Sequence, residues 1–296
     1  MVNAVKLNNI EKAAALYPGG AWARANLAFV VIAISLLMML NDAFVSMAAI
    51  WLHSSAYHHG LFAAPIAFWL IWRRRDWRRA EPRRNLRGAL VIAAAFALFV
   101  AGRFASLSIV EHFAFALAIA GAIIFVYGGA LARQWGFALA FLFFMVPFGE
   151  EANPALQSVT SHMAAAMLNA SGIETARDGL LLSTSNGRFE IAASCSGLRF
   201  LLASAMISIL LASLSFQTAR ARFGFILSAL VAAFIANWLR AYVIIAVTTL
   251  SDRRLGLGPE HVGIGWAIYA VMLLALIVFA RRHADPDAAP RAANSV

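Results

Sequence analysis

Charge is scarce in this chain. Asp, Glu, Lys and Arg together make up 13% of its 296 residues, about half the share of a soluble globular domain. With 62% hydrophobic residues and a mean hydropathy of +0.77, that scarcity excludes an ordinary soluble fold and makes lipid the expected solvent. Acidic residues are scarcer than basic ones, 14 against 24, which leaves a net charge of +10. A positive excess can mark nucleic-acid binding, but only when the basic residues share one solvated surface. Here they sit in short clusters between long apolar runs, so no nucleic-acid partner is expected. Cysteine is almost absent. Cys195 stands alone, which excludes an intramolecular disulfide and leaves a free thiol, a reactive group or a small buried hydrophobe. Residues Met1 to Arg24 lack a short apolar core followed by a small-residue cleavage site, so no segment is expected to be removed. Internal repeats are lacking too, and no metal or cofactor is expected.

What is present is a series of apolar runs near the ~20 residues needed to cross hydrocarbon. They start around Leu27, Tyr57, Gly88, His112, Trp135, Gly197, Phe223 and Val262. The expected fold is therefore an all-α polytopic membrane protein of about eight spans, forming a single integral membrane domain over 1–296. Three runs are compromised: the first by Asn41 and Asp42, the third by Arg103, the fifth by Pro147. Cytoplasmic loops accumulate Lys and Arg, and the segment from Arg73 to Arg87 holds eight arginines. Placing it inside puts both termini in the cytoplasm and most other basic residues on the same side. Arg103, Arg177, Arg188, Arg253 and Arg254 fall outside, and Arg199 and Arg240 are left with no aqueous loop. An arginine within a span usually faces a polar cavity and marks function, although one near a span end can snorkel to the interface.

The longest outer segment, 148–194, is the place for an extramembrane insert. Asn153 to Ala170 patterns as an amphipathic surface helix with Leu156, Val159, Met163, Ala166 and Met167 on one face, consistent with lying on membrane lipids. Asn186-Gly187 then reads as a hairpin turn between two short strands. The hairpin delivers the chain to Cys195 at the start of the sixth span. The tail, 283–296, reads as a short disordered cytoplasmic end.

A thiol at a helix N-terminus is made nucleophilic by the macrodipole and free N–H groups. Arg199, four residues on, is expected one turn deeper on the same face and adds positive potential. Arg240 sits near the outer end of the seventh span with Asn237 three residues before it, and its guanidinium can hold a carboxylate or an oxyanion. His261 opens the eighth span and suits proton transfer near neutral pH. Taken singly, each has a bland reading: a packed small residue, a snorkelling cation, an interfacial histidine. Topology places Cys195, Arg240 and His261 on three successive spans yet at one membrane boundary, and together they supply a nucleophile, an oxyanion partner and a proton shuttle. Two other classes stay open. A transporter would use Arg240 to bind an anionic solute, and a noncatalytic assembly factor for envelope polysaccharide would tolerate loss of Cys195.

At these residues the chain resembles the exosortase/archaeosortase family of membrane-embedded transpeptidase-like enzymes. The matching pieces are Ser194 to Arg199 (SCSGLR), Asn237 to Arg240 (NWLR), and His261 with Gly265 and Trp266. His59 to Phe62, Trp69 to Arg75 and Met145 to Glu151 are similar too. Archaeal relatives tend to carry arginine where this chain has His261, so the likeness is to the bacterial branch, and most to the exosortase A type. Some bacterial relatives carry a fused C-terminal soluble domain, whereas this chain ends soon after its last span. The resemblance implies cleavage of exported proteins bearing a C-terminal sorting tail: a Pro-Glu-Pro-type motif, a transmembrane helix and a basic cluster. It implies a Gram-negative inner membrane, a site at the periplasmic face and a link to exopolysaccharide production. Cys195, Arg240 and His261 are the implied catalytic residues, with Arg199, Asn237 and Ser196 in support and Glu150 and Glu151 lining the substrate's approach.

Overall fold

The structure is a computed structural model that describes residues 19–73, 80–252 and 259–285. Part of the basic cluster (74–79), Lys6, Lys12, Arg253, Arg254 and the tail 286–296 lie outside the described residues. The chain forms two compact units, one drawn from 1–54 with 58–148 and the other from 55–57 with 149–296.

In the first unit α1 (Gly19–Met39) is followed after a break at Leu40 by α2 (Asn41–His53), then α3 (Gly60–Arg73), α4 (Leu86–Ala105), α5 (Ser108–Tyr127) and the short α6 (Gly129–Gln134) and α7 (Gly136–Phe141). The polar pair Asn41-Asp42 thus begins a new helix rather than continuing the first span. Arg103, expected in an outer loop, lies in the last turn of α4 and bridges Asp42 of α2 and Glu111 of α5, the latter at 3.3 Å. Ser46 meets His112 Nε2 at 2.8 Å, and Trp51 donates to the Met145 carbonyl at 2.7 Å. Polar residues at the ends of three helices are therefore tied to one another.

Among the described residues, six helices are long and apolar enough to cross a membrane: α1, α4, α5 and, in the second unit, α9 (Leu198–Ser215), α10 (Ala219–Leu250) and α11 (Pro259–Arg282). Two of the eight expected runs, those starting near Tyr57 and Trp135, form the shorter apolar helices Gly60–Arg73 and Gly136–Met145. At ~1.5 Å per residue a 14-residue helix reaches only about 21 Å, short of a ~30 Å hydrocarbon layer. The long helices carry exposed Leu27, Leu90, Leu227 and Val271, each half or more exposed. Such continuous apolar surface is stable in lipid, not in water. The protein is an all-α, multi-pass membrane protein.

The second unit also holds the insert. It starts with α8 (Asn153–Ala170) and continues into a three-stranded antiparallel sheet of β1 (Ala176–Asp178), β2 (Leu181–Thr184) and β3 (Gly187–Glu190), in the order β1-β2-β3. Thr184 pairs with Gly187 across the β2-β3 turn. Ala164, Ala165 and Leu168 of α8, Leu182 of β2, Ile191, and Ala241, Ile245 and Ala246 of α10 form one apolar cluster. The face that α8 buries in protein is thus Thr160, Ser161, Ala164, Ala165 and Leu168. It is not the Leu156-Val159-Met163 stripe, and Val159 stays 47% exposed. Small residues permit the close approach to α10, while the bulkier stripe faces away. Asn186 at the hairpin tip donates to the Thr249 carbonyl at 2.7 Å and to Asp252 at 2.9 Å, which pins the sheet to the end of α10.

Candidate functional site

Cys195 does not sit in the first turn of its helix. It closes a 3-10 turn, Ala193–Cys195, and α9 begins only at Leu198. Between them Gly197 has φ of +99°, a left-handed conformation that an L side chain adopts only under strain. The break ends helical continuity, so Arg199 is not one turn below Cys195 on a common face, and the macrodipole argument for the thiol loses its geometry. A Cβ at Gly197 would also meet the Asn237 amide at 2.8 Å. Glycine is required here on two counts, conformation and close approach.

The cysteine turn is held instead by hydrogen bonds from three elements. Cys195 N donates to the Ala192 carbonyl at 2.8 Å. Gln157 of α8 donates to the Ile191 carbonyl at 2.7 Å, just before the turn. Asn237 of α10 donates to the Cys195 carbonyl and to Thr160 Oγ1, both at 3.1 Å. Thr160 in turn donates to the Ser196 carbonyl at 3.2 Å. Ser196 donates to Asn153 Oδ1 at 2.6 Å and accepts from Leu198 N at 3.2 Å, so its hydroxyl serves the helix start rather than the thiol. Thr160, Ser196 and Asn237 are each no more than 2% exposed. Buried polar groups so fully paired hold one conformation, because each broken bond would strand its partner away from water. The Cys195 side chain is partly buried against the cluster containing Ile191 and Ala241.

One turn along α10 from Asn237, Arg240 is 5% exposed and its Nη2 lies 3.0 Å from His261 Nε2. A guanidinium can only donate. His261 Nε2 is therefore the acceptor, its lone pair is occupied, and the neutral ring carries its proton on Nδ1. Gly265, one turn after His261 on α11, makes the approach possible: a Cβ there would lie 2.7 Å from Arg240 Nε. Phe200 completes the corner. Its ring has Arg240 Cζ at 5.9 Å and Arg199 Cζ at 5.5 Å, and it stacks on Tyr269 at 4.7 Å between centroids. Arg199 is close enough to interact electrostatically with both Arg240 and Cys195, and His261 with both arginines.

Among the described residues, then, Arg240 and His261 touch, Asn237 holds the cysteine turn, and Arg199 lies in the field of both. The thiol itself has only Ser194 Oγ within reach, at 4.0 Å, and is not hydrogen-bonded to His261. Glu150 and Glu151 are exposed in a 3-10 turn at Glu150–Ala152, directly before Asn153, which accepts from Ser196. There they act on Tyr57, whose phenol is pushed up to about 12, first by burial and then by these two carboxylates. Sequence reasoning missed Asn153, Gln157 and Thr160, polar side chains spaced at three to four residues along the insert helix. It also missed Phe200, indistinguishable in sequence from any other core aromatic.

Compared with known families, the chain matches the family model described as a transmembrane exosortase (Exosortase_EpsH) over residues 51–278. No curated protein and no solved structure matches it.

Proposed function

The chain belongs to the transmembrane exosortase family, and from that premise we propose that it is a cysteine peptidase or transpeptidase that cleaves the C-terminal sorting tails of exported proteins. The substrates are proteins ending in a Pro-Glu-Pro-type motif, a transmembrane helix and a basic cluster. The reaction takes place at the periplasmic face of a Gram-negative inner membrane, with both termini in the cytoplasm, and serves exopolysaccharide production. One observation carries the reading. Asn237 and Arg240, one turn apart on α10, hold the Cys195 turn and the His261 imidazole respectively. A single rigid helix thereby couples the nucleophile's backbone to the proton carrier.

In the proposed chemistry the substrate's tail helix lies among the spans, which sets its scissile peptide at the boundary. His261, whose Nε2 is freed from Arg240 on substrate binding, takes the Cys195 thiol proton, and the thiolate attacks the carbonyl carbon to form a tetrahedral intermediate, whose oxyanion is met by the Arg240 guanidinium. Collapse breaks the C–N bond and leaves a thioester on Cys195. The departing amine takes that proton from the His261 imidazolium, which returns to the neutral ring. Water or an amine then attacks the thioester and gives its proton to His261, and the departing thiolate takes that proton back as the thiol. Binding of substrate must bring the imidazole toward the sulfur, since the two are not hydrogen-bonded in the free protein. Exposed Glu150 and Glu151 line the substrate's approach. The test replaces Cys195 by Ala or Ser and follows a tailed reporter protein in cells. Loss of processing is expected, and normal processing eliminates the mechanism. Mass spectrometry of the mature reporter's new C-terminus distinguishes hydrolysis from transfer.

A further inference from the structure

Strand β3 has a ladder on one side only. The Ile191 N–H donates to the Leu180 carbonyl at 3.0 Å, and with Leu182 opposite Phe189 and Thr184 opposite Gly187 this fixes the alternation. Gly187, Phe189 and Ile191 direct their main-chain groups to β2, while Arg188 and Glu190 turn theirs to the opposite edge. No strand pairs with that edge among the described residues. The Glu190 carbonyl accepts from Ala192 N at 3.1 Å. The Arg188 N–H, the Arg188 carbonyl and the Glu190 N–H remain, three successive groups with no partner among the described residues. Both residues are exposed, and so are Ala192, Ala193 and Ser194 beyond them.

A bare strand edge is ordinarily covered, shortened or twisted away, because it invites pairing with another chain. Here the strand is instead fixed at both ends. Asn186 ties the hairpin tip to the end of α10, Gln157 holds the Ile191 carbonyl, and Phe189 packs against the apolar cluster between α8 and α10. Such an edge is already ordered before anything binds to it, which removes part of the entropic cost of docking. The opposite edge, β1, leads back to α8, whereas β3 runs directly into the Cys195 turn. Only five residues separate Glu190 from Cys195, at most about 17 Å of extended chain.

We infer that the open edge of β3 is where the substrate docks: the segment just upstream of the scissile bond adds to the sheet as a further strand and is delivered to Cys195 in an extended conformation. This rests on the cleavage reading above and names how that site holds a peptide. The added strand runs in the same direction as β3, since both pass from the insert toward a membrane helix. In a parallel pair the Arg188 and Glu190 N–H groups donate to two substrate carbonyls, and the Arg188 carbonyl accepts from one substrate amide. Recognition of this kind reads backbone rather than side chains, so it selects for an extended segment and tolerates changes in its sequence.

The experiment measures binding to full-length Cys195→Ala protein in nanodiscs of neutral lipid, above the level seen with empty nanodiscs. The probe is a fluorescent peptide, an apolar helix preceded by a short polar segment without proline, together with variants N-methylated at one amide of that segment at a time. Methylation of the amide that faces Arg188 is expected to weaken binding about three- to tenfold, the effect of one lost hydrogen bond. The amides on either side point away and should tolerate the methyl group. In the protein, Glu190→Pro removes the outward N–H and leaves the ladder bonds of Phe189 and Ile191 in place. It should weaken binding by a similar factor, while Glu190→Ala, which keeps the N–H, binds as the parent does. The methylation series leaves the sheet unaltered, so it decides the question even where the proline variant folds poorly. A flat methylation profile, no binding of the unmodified peptide, or equal binding by Glu190→Pro and Glu190→Ala proteins that unfold at the parent temperature would each overturn the inference. So would a Glu190→Pro effect on the number of chains per particle in detergent rather than on peptide affinity, since that assigns the edge to a second copy of this chain. A reporter still processed by the Cys195→Ala protein would sink the cleavage mechanism, while the methylation profile stands or falls by itself.

Discussion

Replacing Gly265 by Ala separates the site's geometry from the fold's stability. A Cβ at this position would lie 2.7 Å from Arg240 Nε and 3.2 Å from Cδ, so the arginine must move. The colliding atoms belong to a side chain and not to backbone, so the arginine can turn aside without a helix shifting. Alanine inside a helix is moreover favoured over glycine by about 1 kcal/mol, which offsets the displacement. The protein should fold as well as the wild type. What does not survive is the 3.0 Å bond between Arg240 Nη2 and His261 Nε2. A hydrogen bond to a charged group contributes about 1.5–3 kcal/mol. At about 1.4 kcal/mol per decade of rate, losing the alignment this bond gives His261 and Arg240 before reaction lowers turnover roughly 10- to 100-fold. The assay pairs thermal unfolding of the purified protein in detergent with the initial rate of reporter cleavage in nanodiscs. A Gly265→Ala protein that is folded and cleaves at the wild-type rate refutes the coupling of Arg240 to His261. A rate loss fully matched by unfolding refutes the claim that the fold tolerates the change.

Three further outcomes follow from the same contacts. Asn237→Ala strands the Cys195 carbonyl, worth about 1–3 kcal/mol when buried without a partner, and leaves Thr160 only its bond to the Ser196 carbonyl; Cys195 should alkylate faster with iodoacetamide, and an unchanged alkylation rate counts against the tether. In the first unit Asp42→Asn should change stability by less than ~1 kcal/mol, because that pair is about half exposed. Arg103→Leu should lose about 1–3 kcal/mol by leaving the 9%-exposed Glu111 side chain without its cation, and adding Glu111→Gln should restore part of it, both read by thermal unfolding. The Tyr57 phenol, raised from 10.0 to about 12, is held neutral in the folded state while an unfolded chain ionises near 10. Its stabilising contribution is complete below pH 10 and is lost as pH rises toward about 12. Tyr57→Phe should flatten the alkaline fall of the unfolding temperature across that window, and an unaltered slope would mean that Tyr57 titrates normally.

Parts of this protein were open to reading from composition and pattern. Lipid as solvent, helices as the only abundant element, the insert helix at Asn153–Ala170 and the strand pair around Asn186 follow from local sequence, because hydrophobic run length and turn chemistry act over a few residues. The motif around Cys195 was legible for the same reason. Span number is less direct, since the apolar runs opening at Tyr57 and Trp135 form shorter helices than the other six. Which face of α8 meets protein is set by packing, because close approach to α10 takes small residues and leaves the bulkier stripe turned outward.

Linear order determined that this chain lives in a bilayer, which family it belongs to, and which cysteine, arginine and histidine draw attention. Tertiary structure alone decided that Gly197 severs Cys195 from its helix, that Asn237 and Thr160 rather than a dipole hold the turn, and that Arg240 occupies one nitrogen of His261. The physical reason is range. Hydrophobic transfer sums over neighbours along the chain, whereas a hydrogen bond requires two atoms within about 3 Å, and residues 42 or 77 positions apart reach that distance only when separate helices pack.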